Sequence, residues 1–255
     1  MKRKIWLIGG TSESVVIAEK LMGYGYHCLV SVTTEAAIAL YPKSELMTIK
    51  VGALSREEMA QLIQENQIKI IVDASHPYAI VVSENVIALA NQFNLPYLRY
   101  ERPALSSDND PHTLILDSFD TLINGDYLHQ QRVLLTVGYK ALSYFQSWQE
   151  DALLFARILP TVTSLENALA AGFTHKQLMA LRPPVSYDLE KALCEQWKIS
   201  LIITKASGSA GGEDTKQAVA KALDIPLIII DRPHLAYPQK TSKLEDVVNF
   251  CLDYG

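Results

Sequence analysis

Several stretches of this sequence concentrate groups that hold anions or move protons, and each follows a short apolar run. Gly9-Gly10-Thr11-Ser12-Glu13 comes after Lys4–Gly9 and opens a helical pattern. Glycines let a backbone approach a phosphate closely, and a helix's first turn offers N–H groups at the positive end of its dipole. The full GxGxxG spacing of a dinucleotide loop is absent, so a plain strand–helix turn capped by Thr or Ser fits these residues equally well. The next apolar run, Tyr26–Thr33, ends in hydroxyls: Ser31, Thr33 and Thr34. Dinucleotide enzymes often place an acid there for the ribose hydroxyls. Hydroxyls without a carboxylate suit a 2′-phosphate and mildly favour NADPH over NADH, although β-branched residues simply ending a strand read the same way.

Asp73-Ala74-Ser75-His76-Pro77-Tyr78-Ala79 crowds an acid, an imidazole and a phenol into one loop after the run Ile68–Asp73. Loops that gather polar groups are often functional, whereas a capping Asp beside a surface His is the plain alternative. His76 has no HExxH partner and the other histidines are scattered, so no metal site is expected. Later strand candidates are followed by cations: Tyr139 and Lys140 in Thr136–Lys140, Arg157, Arg182, Lys205 and Arg232. Single lysines and arginines decorate many loops. Their recurrence at one end of successive strands suits a ligand with several carboxylates or phosphates. Thr204–Gly212, containing Ser207, Gly211 and Gly212, is glycine-rich and precedes a helix, so it could cradle an anion. It lacks the GK[ST] of a Walker A loop. Tyr187 and Lys191 match the YxxxK pair of short-chain dehydrogenases, a short motif that also arises by chance in an amphipathic helix such as this one.

The elements that must position these loops alternate. Strand candidates are Lys4–Gly9, Tyr26–Thr33, Leu46–Val51, Ile68–Asp73, Pro96–Tyr100, Thr113–Leu116, Arg132–Val137, Leu153–Ile158, Gln177–Leu181, Leu201–Thr204 and Leu227–Ile230. Helical patterns separate most of them. Ser55 to Glu58 has capping-box chemistry, residues 79–94 and 214–223 are helical, and Lys243–Tyr254 closes the chain as a helix. Such alternation predicts an α/β fold with parallel sheets covered on both faces. Glu101–Thr113, rich in Pro, Ser, Asn and Asp, reads as a linker. The expectation is two Rossmann-like parallel-sheet domains with an interdomain cleft: residues 1–103 for a dinucleotide, residues 104–255 for a substrate.

The 255 residues carry 23 Lys+Arg against 28 Asp+Glu, a formal net charge of -5, which argues against a general nucleic-acid binder. Three widely spaced cysteines without a CxxC suit reduced cytosolic thiols. The apolar run after the basic start, Ile5–Ile8, is too short for a signal peptide or a membrane span, so a cytoplasmic protein with no membrane partner is expected.

In combination and order, the segments resemble the precorrin-6A reductase family, including its cobalt-precorrin-6A form, of cobalamin biosynthesis. The likeness rests on Gly9–Glu13, Asp73–Ala79, Pro96–Pro103, Val137–Lys140, Ala156–Pro160, Thr204-Lys205 with Gly211-Gly212, and Asp231-Arg232-Pro233. It implies two Rossmann-like domains and an oxidoreductase using NADPH or NADH on a CH–CH group of a tetrapyrrole polycarboxylate. Neighbouring pathway enzymes are further implied partners. On this resemblance Gly9, Gly10, Thr11 and Ser12 hold the pyrophosphate, Glu13 is a further cofactor-binding residue, and Ser31, Thr33 and Thr34 line the ribose. Asp73, Ala74, His76 and Tyr78 lie near the nicotinamide. Lys140, Arg157, Arg182, Lys205, Ser207, Gly211, Gly212 and Arg232 grip the substrate, and Tyr139 or His76 brings the proton. Two departures touch the second half: Ala206 stands where the family usually has Asp, and Pro183 follows Arg182 where it usually has Gly. The alternatives are a reductase of the short-chain type, or an NADP-sensing protein without activity.

Overall fold

The protein's computed structural model describes residues 3–103, 105 and 110–254. Its first unit begins with β1 (Lys4–Ile8), α1 (Ser12–Gly23), β2 (His27–Val32), β3 (Met47–Val51), α2 (Arg56–Glu65), β4 (Ile68–Asp73), α3 (Ile80–Gln92) and β5 (Tyr97–Tyr100). Alternate residues of β1 feed two cores, as the two-residue repeat of a strand dictates. Ile5 and Leu7 pack with Ile17 and Leu21 of α1, while Trp6 and Ile8 pack with Met59, Leu62 and Leu89 of α2 and α3. A sheet covered on both faces needs apolar residues throughout, which is why β4 reads as a nearly continuous run. The helix starts have local causes. Thr11 and Ser14 form a capping box at α1, and Ser55 and Glu58 form the one expected at α2.

The second unit runs β6 (Thr113–Leu116), α4 (Phe119–Asn124), β7 (Arg132–Leu135), β8 (Leu153–Ile158), α5 (Val162–Ala170), β9 (Leu178–Ala180), α6 (Tyr187–Gln196), β10 (Leu201–Lys205), α7 (Glu213–Leu223) and β11 (Leu227–Ile230). The chain ends with β12 (Lys240–Thr241) and α8 (Leu244–Asp253). The sheet orders are β12-β5-β4-β1-β2-β3 and β6-β11-β10-β7-β8-β9, with six strands each and every recorded pairing parallel. In each, the order reverses beside the central strand, between β1 and β4 or between β7 and β10. Ligands of such sheets bind outside the carboxyl ends at that reversal.

One boundary differs from expectation. The units are Met1–Pro103 with His234–Gly255, and Ala104–Pro233, so the second does not extend to residue 255. The place beside β11 is taken by β6, and β12 instead pairs with β5, Lys240 opposite Arg99 and Thr241 opposite Tyr100. α8 buries Val247, Phe250 and Cys251 against the α1 face, where Tyr26 Oη donates to the Cys251 carbonyl at 2.7 Å. The linker segment Glu101–Thr113 lies partly outside the described residues, at 104 and 106–109. Among the described residues no helix is long and apolar enough to cross a membrane, and no group of three metal-binding side chains is present.

Candidate functional site

In the first unit the chain leaves β1 through Gly9 and Gly10. A Cβ on Gly9 would stand 2.3 Å from Tyr41 Oη and 2.9 Å from Val30 Cγ1, so only glycine passes there. Gly10 has φ +96, a backbone that favours glycine, and open space where its Cβ would be. Its N–H donates to Tyr41 Oη at 2.9 Å, which fixes the loop against the 3-10 segment Glu35–Leu40 and its following residue. Thr11 Oγ1 donates to the Ala74 carbonyl at 2.9 Å, tying the loop after β1 to the loop after β4. Glu13, in the first turn of α1, pairs with Arg102 at 2.7 Å. Its carboxyl lies below its ordinary range: burial works against this, but the Arg102 bond outweighs it together with the backbone N–H and Ser12.

Asp73 is fully buried and saturated. Oδ1 accepts from Ser75 N at 3.0 Å and Arg99 Nη1 at 2.9 Å, and Oδ2 accepts from Ser83 Oγ at 2.6 Å and Tyr97 Oη at 2.9 Å. It therefore belongs to the wall of the site and offers no oxygen to a ligand. Ser31 is also buried, and its hydroxyl accepts from Trp6 Nε1 at 2.9 Å. Thr33 and Thr34 are exposed beyond β2. His76 is exposed on the turn between β4 and α3, and its Nδ1 accepts from Tyr78 N at 3.3 Å. A neutral His76 ring in that arrangement carries its proton on Nε2.

The second unit has the same topological position but fills it differently. A pocket of about 340 Å³ is lined by Thr136–Lys140 after β7, Arg157 and Leu159 at the end of β8, Leu181, Pro183, Lys205, Gly211 and Lys216. Lys205 sits at the end of β10, and burial, with Lys140 as the second cause, lowers its pKa to about 8. Lys216 of α7 is 2% exposed. Its Nζ donates to the Gly211 and Gly212 carbonyls at 3.0 and 2.9 Å, and burial, then Arg157, lowers its pKa to about 8. Arg157 Nη1 donates to Glu190 Oε2 of α6, while Glu190 Oε1 is buried without a hydrogen-bond partner. The glycine loop is shut from within: Glu213 Oε2 accepts from Gly208 N at 2.7 Å, and a Cβ on Gly211 would collide with Ser207 Oγ at 2.0 Å.

Of the expected substrate-binding residues, the pocket gathers Tyr139, Lys140, Arg157, Lys205 and Gly211. Gly212 adjoins it through the Lys216 bond. Ser207 is buried beneath Gly211, Arg182 is exposed next to the lining residues, and Arg232 Nε donates to the Ala206 carbonyl at 2.9 Å, under the same loop. The short-chain pair gains no support. Tyr187 and Lys191 are on the outer side of α6 in the second unit, with Lys191 on Glu195 at 2.5 Å.

The comparisons with known proteins decide the family. The model of the family described as precorrin-6x reductase CbiJ/CobK matches residues 4–252. The chain belongs to the precorrin-6x reductase family. Members of this family are oxidoreductases that reduce precorrin-6A in cobalamin biosynthesis, in general with NAD(P)H. A cobalt-precorrin-6A reductase of Synechocystis sp. is 46% identical over 250 residues, covering 97% of this chain and 95% of the relative. One of Priestia megaterium is 32% identical over 248 residues, covering 96% of each. The solved structure of CobK precorrin-6A reductase superposes with a TM-score of 0.80 at 19% identity over 99% of this chain and 97% of that one, which supports the paired six-strand sheets.

Sequence reasoning passed over three charged residues in or beside these loops. Lys216 lies inside an ordinary-looking amphipathic helix, and only its spacing from Gly212 (four residues, one helical turn) hinted that it returns to the loop. Arg99 lies within a strand and has no loop signal. Glu35 stands just past Thr34, where the 3-10 segment begins, and brings an exposed carboxylate that the hydroxyl pattern had left out.

Proposed function

We propose that this chain reduces cobalt-precorrin-6A to its 6B dihydro form with NAD(P)H, the first unit holding the nucleotide and the second the tetrapyrrole. The cobalt form is favoured because both relatives above carry it in their names. The observation that carries the substrate assignment is the pocket at the β7/β10 reversal, with Lys140, Arg157, Lys205 and Lys216 in its lining. A macrocycle with acetate and propionate arms is a polyanion, and those cations meet it at the end of the sheet where ligands bind.

The first unit fits a dinucleotide by its open Gly10 turn, the positive end of α1 and its place at the β1/β4 reversal. Gly9, Gly10, Thr11 and Ser12 hold the pyrophosphate, and Thr33 and Thr34 face the ribose. A reduced nicotinamide, when bound, supplies the hydride. His76 brings the proton that completes the reduction, and Tyr78, 5.8 Å from it between ring centres, shields that side. Tyr139, on the second unit, is the other candidate donor. The hydroxyls of Thr33 and Thr34 mildly favour NADPH, while the exposed carboxylate of Glu35 beside them suits the ribose hydroxyls of NADH. The buried, unpaired thiols of Cys28, Cys194 and Cys251 support a cytoplasmic location, and neighbouring pathway enzymes are the natural further partners.

Fluorescence titration with NADH and NADPH tests the first unit. Gly10→Val is expected to abolish binding of both, and affinity retained in that variant removes the loop from the site. Reversing Lys140 and Arg157 to glutamate is expected to raise KM for cobalt-precorrin-6A roughly a hundredfold, since two attractions become repulsions. An unchanged KM ends the substrate assignment.

A further inference from the structure

Arg99 is a fully buried arginine in a parallel sheet, opposite Asp73 in the last residue pair between β4 and β5, an unusual place for a charge. Its Nη1 donates both to Asp73 Oδ1 at 2.9 Å and to Ser75 Oγ at 3.0 Å, and Nη2 donates to Glu101 Oε2 at 3.3 Å. The guanidinium lies 5.2 Å from the ring centre of Tyr237, on the C-terminal segment, and Nε is buried without a hydrogen-bond partner. A buried ion pair is weak ground for stability, because apolar residues of similar volume often serve as well or better. What this pair contributes is direction. A planar fork reaches two acceptors from one nitrogen and a third from the other, which a lysine ammonium does not reproduce.

The direction concerns one loop. Residues 74–78 are anchored by Thr11 Oγ1 on the Ala74 carbonyl, by Asp73 Oδ1 on Ser75 N, and by Arg99 on the Ser75 hydroxyl. Of these three, the last brings a charge from a neighbouring strand, and it acts on the residue directly before His76, whose carbonyl also accepts from Ala79 N at 2.8 Å. We propose that Arg99 is a positioning residue that, through Ser75, fixes the place of the His76 ring. The inference rests on the reading of this loop as part of the cofactor site. Arg99 touches no ligand in this role.

Ser75→Ala removes one hydroxyl and leaves the Asp73–Arg99 pair whole, and Ser75→Thr restores the hydroxyl. Three quantities are read on the full chain: thermal midpoint, kcat and KM with cobalt-precorrin-6A, and the His76 ring signals in ¹⁵N-histidine NMR, assigned with His76→Gln. In Ser75→Ala the midpoint is expected within about 4 °C of the parent. At the same time kcat falls about tenfold with KM unchanged, the His76 signals shift and broaden, and Ser75→Thr recovers both. Parent-like kcat and His76 signals in Ser75→Ala overturn the proposal, as does a loss that Ser75→Thr fails to recover. NADH and NADPH titrations of the parent separate the two readings. Absent binding defeats the cofactor site and this proposal together, whereas normal binding with an indifferent Ser75→Ala defeats only the proposal.

Discussion

The two sheets share the arrangement of strands about their reversal and use it in opposite ways. At the β1/β4 reversal the wall is filled: Asp73 takes four donors, Arg99 spans three acceptors, and the remaining void lined by Thr11, Ser75, Arg99 and Arg102 is about 10 Å³. At the β7/β10 reversal the wall is open around about 340 Å³ and its lining includes Lys140, Arg157, Lys205 and Lys216. The glycine loops differ in the same sense. The one after β1 opens outward at Gly10, whereas the one after β10 is plugged by its own Glu213 and pinned by Lys216. Topology thus names the place where a ligand can bind, and the side chains at the strand ends decide which ligand. The first loop suits a cofactor recognised through backbone and dipole. The second suits a polyacid recognised through charge.

That contrast breaks most visibly in the filled wall. Arg99→Met leaves Asp73 buried without its counter-charge and is expected to destabilise the protein by about 3–5 kcal/mol. Chemical denaturation checks this, and a loss near zero would mean that the wall is held by packing alone. The open wall responds to pH. Lys205 and Lys216 stand at about 8 against the ordinary lysine value of 10.5, chiefly through burial. Lys216 also faces Arg157, which lowers it, and Glu190, Glu213 and Asp214, which raise it. Between these two values the unfolded chain still binds protons that the folded lysines have released, so their contribution to stability rises with pH across that window. Below it the cost of burying both charges is fully present. Affinity runs the other way: binding of a porphyrin octacarboxylate is expected to fall on the order of tenfold between pH 7 and pH 9.5 as the ammonium groups are lost. Flat affinity over that range would remove both lysines from the clamp. The smallest effect lies far from either reversal. Lys20 and Glu245 form an exposed bridge at 3.4 Å between α1 and α8, and Lys20→Ala is expected to leave the thermal midpoint unchanged within the error of a melting curve.

Most of the strands were legible because a doubly covered parallel sheet leaves continuous apolar runs. Ile68–Asp73, Thr113–Leu116, Leu153–Ile158 and Leu227–Ile230 fall where the pattern placed them. β12 was not legible, since two residues, Lys240 and Thr241, carry no periodicity and owe their strand to β5 beside them. The domain boundary at 255 went wrong for the same reason: a terminal amphipathic helix says that it has a core to join, not which one. At the candidate sites, residue types pointed to loops at the strand ends, and burial separates the side chains within them. Asp73 and Ser31 look alike as polar residues at strand ends, and both turn inward because Arg99 and Trp6 offer them donors. Lys216 and Arg99 were hidden because a charge within a regular element looks solvated until its neighbours are known.

The return of α8 and β12 also sets an order of events during synthesis. Residues 104–233 can complete their sheet once they have left the ribosome, while the earlier-made segment still lacks its edge strand and the helix that covers Tyr26 and Leu98. The part of the protein made first is therefore finished last, and a chain cut after residue 233 would keep every strand of one sheet while the other loses its edge strand and covering helix.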